Sequence, residues 1–179
     1  MTATPAGRAV RRAGMPWSWC TLAAGVAGLA CLGGVLTPAA YADEKSGSPE
    51  GAAAFQSNCA LCHGPAGAGV PALAPAITDY PARYAATSEG RRQLAMTVLY
   101  GMFGEITVGD AHFNGQMPDL SRLDDATLAA ILNFVVFDLA HAPADVKPLT
   151  AAEIAAERAH TVDGAAVRAH RKSLAIAGP

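Results

Sequence analysis

Leu128, Ile131, Leu132, Val135 and Leu139 recur at intervals of three or four residues, the spacing that gathers apolar side chains into one stripe of an α-helix. Asp124 stands just before the pattern as an N-cap, so the spacing predicts a helix from Asp124 whose stripe is core. Upstream, Ser48-Pro49-Glu50 gives a cap, a proline at the first helical position and an acid in the first turn, which opens a helix carrying Gly51 and Phe55 toward Cys59. Leu94, Val98, Leu99 and Met102 repeat at helical spacing, with Ser88 as the expected cap and Gly101 and Gly104 near the end. In that reading Met102 and Met96 are core fillers. Period-two segments at 105–108 and 111–113 flank Gly109-Asp110 and predict a short hairpin. Two glycine-rich stretches, Gly64 to Val70 with Pro71 and Asn114 to Pro118, read as loops. Beyond a linker from His141 to Pro148, Thr150-Ala151-Ala152-Glu153 is a capping box for a short helix to about Arg158. A second short helix is expected from about Ala165 to Leu174, made basic by Arg168, Arg171 and Lys172. These tail pieces hold too little apolar surface to fold alone, so they either drape over the main domain or dock a partner.

The first residues follow a different pattern. Arg8, Arg11 and Arg12 precede an uncharged apolar segment from Trp17 to Val35, and Ala40-Tyr41-Ala42 supplies a small-x-small cleavage site. The expectation is an export signal over residues 1–42, cleaved after Ala42, with an uncleaved membrane anchor as the alternative. Arg11-Arg12 lacks the remaining context of a twin-arginine signal, and Gly28-Leu29-Ala30 is a poor lipobox before Cys31. The full chain carries 13 basic and 15 acidic side chains. Cleavage removes three arginines and no acids, leaving a net charge of about −5, which argues against a nucleic-acid partner. Cys20 and Cys31 leave with the leader, so no structural disulfide is expected in the 137 residues that remain. That length suits one domain over 43–140 with an extension over 141–179.

The two remaining cysteines lie in Cys59-Ala60-Leu61-Cys62-His63, the Cys-x-x-Cys-His pattern of c-type haem attachment. Residues three and four apart share a helical face, so one turn can offer both thiols to the vinyl groups and His63 to the iron. A zinc site needs about four clustered ligands, and no second cluster exists in the sequence. A thioredoxin-like pair would be expected near a βαβ pattern, which is absent. For the other axial position Met117 is the leading candidate, because it follows Gly115, precedes Pro118 and offers a soft thioether that favours reduced iron. His112, five residues upstream, is the rival, and an open iron is the third option. His141, His160 and His170 read as solvated tail residues.

From Pro49 to Leu139 the chain resembles the class I cytochromes c, in particular the small periplasmic ones of bacteria. The resemblance rests on Cys59 to Gly64, Pro75-Ala76-Ile77, Gly104 to Val108, Asn114 to Pro118 and the closing helix Leu128 to Val135. It implies an all-α class I cytochrome c fold around one covalently attached haem c, and with the elements read above the expectation is three core helices, a hairpin-like insertion and a helical C-terminal extension that lies outside the resemblance. It also implies thioethers at Cys59 and Cys62, axial ligation by His63 and Met117, and a Pro75 carbonyl that accepts from the His63 ring. Gly51, Phe55 and Phe134 match the crossing of the family's first and last helices. The implied role is single-electron transfer in the periplasm between a protein donor and acceptor, not enzymatic turnover of a small molecule. A dedicated cytochrome subunit of a larger dehydrogenase, oxidase or reductase is the alternative, motivated by the tail, and membrane association would follow only from an uncleaved leader.

Overall fold

The computed structural model describes residues 48–176, so the expected leader, with Cys20 and Cys31, lies outside the described residues. Helix α1 (Pro49–Asn58) starts as its sequence dictates, the Ser48 hydroxyl accepting from Gly51 N–H at 3.1 Å. A single turn α2 (Ala60–His63) follows, then α3 (Tyr80–Ala85), α4 (Ser88–Tyr100), an antiparallel pair β1 (Met102–Val108) and β2 (Ala111–Met117), and α5 (Asp125–Asn133). Beyond Asn133 the last core helix widens into a π-helical segment over Phe134–Leu139, and the extension adds α6 (Ala151–Arg158) and α7 (Gly164–Leu174). Among the described residues no helix is long and apolar enough to cross a membrane.

The frame is the crossing of α1 with α5. Here the chains approach so closely that a Cβ on Gly51 would collide with the backbone carbonyl of Ala130, whose carbon lies 2.9 Å from that position. Phe55 and Phe134 meet beside the crossing, their ring centroids 5.3 Å apart and tilted by 51°. Phe55, Ile131 and Val135 form one buried cluster, while Leu99, Leu128, Leu132, Val136, Leu149 and Ile154 belong to the other. Gly51→Ala is therefore expected to push the helices apart and cost about 1–3 kcal/mol, the range for overpacking. In a domain this size that lowers the melting temperature by several degrees, read by thermal unfolding followed by circular dichroism. An unchanged melting temperature would mean that the crossing yields without strain.

Several sequence expectations are corrected. The cap of α4 is Thr87 rather than Ser88, its hydroxyl accepting from Gly90 N–H at 3.1 Å. Helix α3 went unread because six residues with a proline in the first turn carry little periodicity. The hairpin is longer than expected, pairing Met102 with Met117 through to Val108 with Ala111 around the predicted Gly109-Asp110 turn. Asn114 to Met117 is thus strand rather than loop, and Met102 stands on β1 rather than at a helix end. Gly101, at φ 66°, ends α4 and turns the chain into the strand.

The extension drapes over the domain. Ile154 and Val167 are fully buried, and the capping box at Thr150 and Glu153 forms as expected. Arg91 forks onto Glu153 at 2.7 and 2.8 Å and reaches the carbonyls of Lys147 and Pro148. That guanidinium, chiefly, holds the Glu153 carboxyl below its ordinary value. Arg158 closes the other side on Asp125, Ser121 O and Leu123 O, and the Asn133 amide both donates to and accepts from the Leu149 backbone.

Candidate functional site

At Cys59 the backbone leaves the helical region briefly, with φ −120°, and α2 then makes one turn. His63 N–H donates to Cys59 O at 2.9 Å, so the motif is closed on itself, and Leu61 between the cysteines points outward at 90% exposure. Gly64, at φ 77°, starts a loop that is hydrogen-bonded rather than loose: Gly69 N–H donates to His63 O at 2.8 Å and Ile77 N–H to Gly67 O at 2.8 Å. This loop brings the Pro75 carbonyl to 2.9 Å from His63 Nδ1. A carbonyl only accepts, so Nδ1 carries the proton and Nε2 keeps its lone pair for a metal. Burial lowers the basicity of His63, with the Pro75 contact opposing it, which favours the neutral ring a metal requires. The Cys59 thiol is pushed up to about 11, first by burial and then by Cys62, a measure of how dry this wall is.

Met117 ends β2 on the same cavity. Pro118 follows it, Leu120 N–H anchors to Val98 O at 2.8 Å, and a Cβ on Gly101 would strike the Met117–Asp119 backbone, so glycine there lets this turn seat against α4. The cavity has two compartments of about 110 and 140 Å³ that share Cys59, His63, Pro75, Met102, Ile106 and Met117. Phe55, Ile131, Leu132 and Val135 make the second compartment strongly apolar; Tyr84 also lines it, and its buried hydroxyl has no hydrogen-bond partner among the described residues.

The structure thus brings Cys59, Cys62, His63, Pro75 and Met117 to one site. His112 does not join them: its side chain is 69% exposed, beside Thr107 and Glu105. Met96 is buried in the core. Met102 is the residue sequence reasoning misplaced, since it lines the cavity directly across the ladder from Met117. Among the described residues no three His, Cys, Asp or Glu side chains cluster so that they could hold a metal ion of their own. A neutral imidazole and a thioether on one dry, apolar cavity, beside two thiols, are a donor set that fits an iron macrocycle.

A helical frame closed around such a site defines the class of small proteins that carry a redox haem in a fitted apolar slot. Residues 48–136 match the model of the Cytochrome c family. Cytochrome c-552 of Thermus thermophilus is 33% identical over 126 residues, covering 69% of this chain and 96% of the relative. A second cytochrome c-552 from that organism is also 33% identical over 126 residues, 85% of its length. The chain belongs to the cytochrome c family and is an electron-transfer cytochrome with covalently bound haem c.

Proposed function

We propose that this protein is a one-haem electron carrier of the bacterial periplasm, passing single electrons between a protein donor and a protein acceptor. The observation that carries the reading is the pairing, across one apolar cavity, of a His63 ring fixed by Pro75 with the Met117 thioether. Cys59 and Cys62 would hold the haem by thioether bonds, with His63 Nε2 and Met117 Sδ as axial ligands. When bound, the haem supplies the Fe(II)/Fe(III) couple. The chain's own part is to fix the ring through Pro75, which also makes Nε2 a better donor. Its apolar walls keep water away, and with both His63 and Met117 bound the iron would have no position left for a substrate. Such a site suits transfer with little rearrangement and does not call for enzymatic turnover.

The leader supports export. The acidic mature chain favours partners with basic docking patches. The tail that motivated a subunit reading is engaged with its own domain through Arg91, Arg158 and the buried Ile154 and Val167, so the free carrier is the better supported of the two. Carbon monoxide added at low concentration to the reduced protein tests the closed iron. No spectral change is expected, together with a reversible one-electron wave in voltammetry. Prompt formation of a carbon monoxide adduct would contradict the reading and bring an open, ligand-binding haem forward.

A further inference from the structure

Arg158, the last residue of α6, reaches back from the extension to the stretch of chain that joins Met117 to α5. Its Nε donates to Asp125 Oδ1 at 2.8 Å, Nη1 to Ser121 O at 2.7 Å and Nη2 to Leu123 O at 2.7 Å. All three acceptors lie in or just beyond the turn that follows Met117 and Pro118. A guanidinium suits such a set because its N–H groups diverge in a fixed plane. Helix α6 is held so that this fork arrives in place. The capping box fixes its start, Ile154 is fully buried one turn before Arg158 on the same face, and near the end the Tyr100 hydroxyl donates to Glu157 O at 2.8 Å.

The stretch that receives the fork has no regular structure of its own between β2 and α5, so its backbone groups depend on partners from elsewhere. Leu120 N–H donates to Val98 O at 2.8 Å, Leu123 N–H to Leu120 O at 2.9 Å, and Arg122 Nη2 to Asn58 Oδ1 at 2.6 Å. Arg158 adds two carbonyl contacts and an ion pair, and it is the tie that comes from the extension. Irregular segments with few such ties are the first to open locally. An opening of this one carries Met117 away from the iron.

We propose that Arg158 is a positioning residue for the sixth ligand, through which the C-terminal extension keeps Met117 on the iron. The extension thereby governs how often the axial position opens, and so whether the protein stays a closed carrier or admits an outside ligand. The proposal rests on ligation by Met117.

The test is made on the full-length ferric holoprotein mixed with imidazole, whose ring nitrogen takes the position that the thioether leaves, with no electron exchanged. At saturating imidazole, the rate at which the far-red band from iron to methionine sulfur disappears is the rate at which Met117 lets go. Arg158→Met keeps the apolar stem and is expected to raise that rate about tenfold or more, the equivalent of one lost charge-assisted hydrogen bond. It should also speed amide hydrogen exchange at Leu120 and Leu123. Arg158→Lys should fall between it and the wild type, because an ammonium keeps the charge but not the fork. Arg91→Met severs α4 from the extension at Lys147, Pro148 and Glu153 without touching the turn, so it should lower the melting temperature and leave the limiting rate unchanged. A wild-type rate in Arg158→Met would overturn the proposal, and so would an equal acceleration in Arg91→Met, the mark of general loosening. If Arg158→Met fails to assemble, Arg158→Lys decides, and a rate equal to that of the wild type overturns the proposal. Failure of the ligation reading looks different, because the wild-type ferric protein would then lack the far-red band from the outset, and the proposal would fall with it.

Discussion

A chain carrying Cys59→Ala and Cys62→Ala, isolated without haem, is expected to lose cooperative thermal unfolding. Members of both apolar clusters line the cavity, Val98 and Leu132 from one and Phe55, Ile131 and Val135 from the other. Unfilled apolar space costs roughly 24 cal/mol per Å³, so even about 100 Å³ left open is worth about 2.4 kcal/mol. Total stabilities of small domains are only about 5–15 kcal/mol, and the two compartments here, at about 110 and 140 Å³, each reach that reference volume. Far-ultraviolet circular dichroism should show a broad transition with retained but uncooperative helix signal. A sharp transition near that of the holoprotein would show that the polypeptide packs its own core and that haem is a passenger.

The second large effect is expected at Met117. Leucine nearly conserves its volume, so Met117→Leu should cost less than about 1.5 kcal/mol in packing, while removing the one atom that can bind iron from that position. Loss of a soft thioether disfavours Fe(II), so the reduction potential should fall well below that of the wild type. The reduced variant should also bind carbon monoxide readily, where the wild type does not. Met102→Leu, across the ladder, changes the same cavity by the same chemistry without touching the proposed ligation, so it should do neither. A Met117→Leu variant with the wild-type potential would remove that residue from the iron.

The parts legible in the sequence were those governed by neighbours along the chain. Ser48, Asp124 and Thr150 cap their helices because a side-chain oxygen needs only a backbone N–H three residues on. Gly109-Asp110 makes its turn for an equally local reason, and the Cys59 to His63 motif is held within a single helical turn. The Pro75 contact, implied by resemblance alone, is present at 2.9 Å. Length and partnership escaped. The hairpin runs on through Asn114, Gly115 and Gln116 because a two-stranded ladder with exposed flanks needs no apolar alternation, so these polar residues looked like loop. Docking of the extension depends on pairs such as Arg91 with Glu153, 62 residues apart, which no local pattern announces. Arg171 was visible only as one more charge on a basic helix, and its hydrogen bond to Thr107 O at 3.0 Å is a product of how α7 lies on β1.

The most direct test of the account is the absorption spectrum of the oxidised protein in the far red, where a weak band reports bonding between ferric haem iron and methionine sulfur, recorded for the wild type, Met117→Leu and Met102→Leu. The account predicts the band in the wild type and in Met102→Leu and its loss in Met117→Leu. A band that survives in Met117→Leu and disappears in Met102→Leu, or that is absent from the wild type, would contradict it.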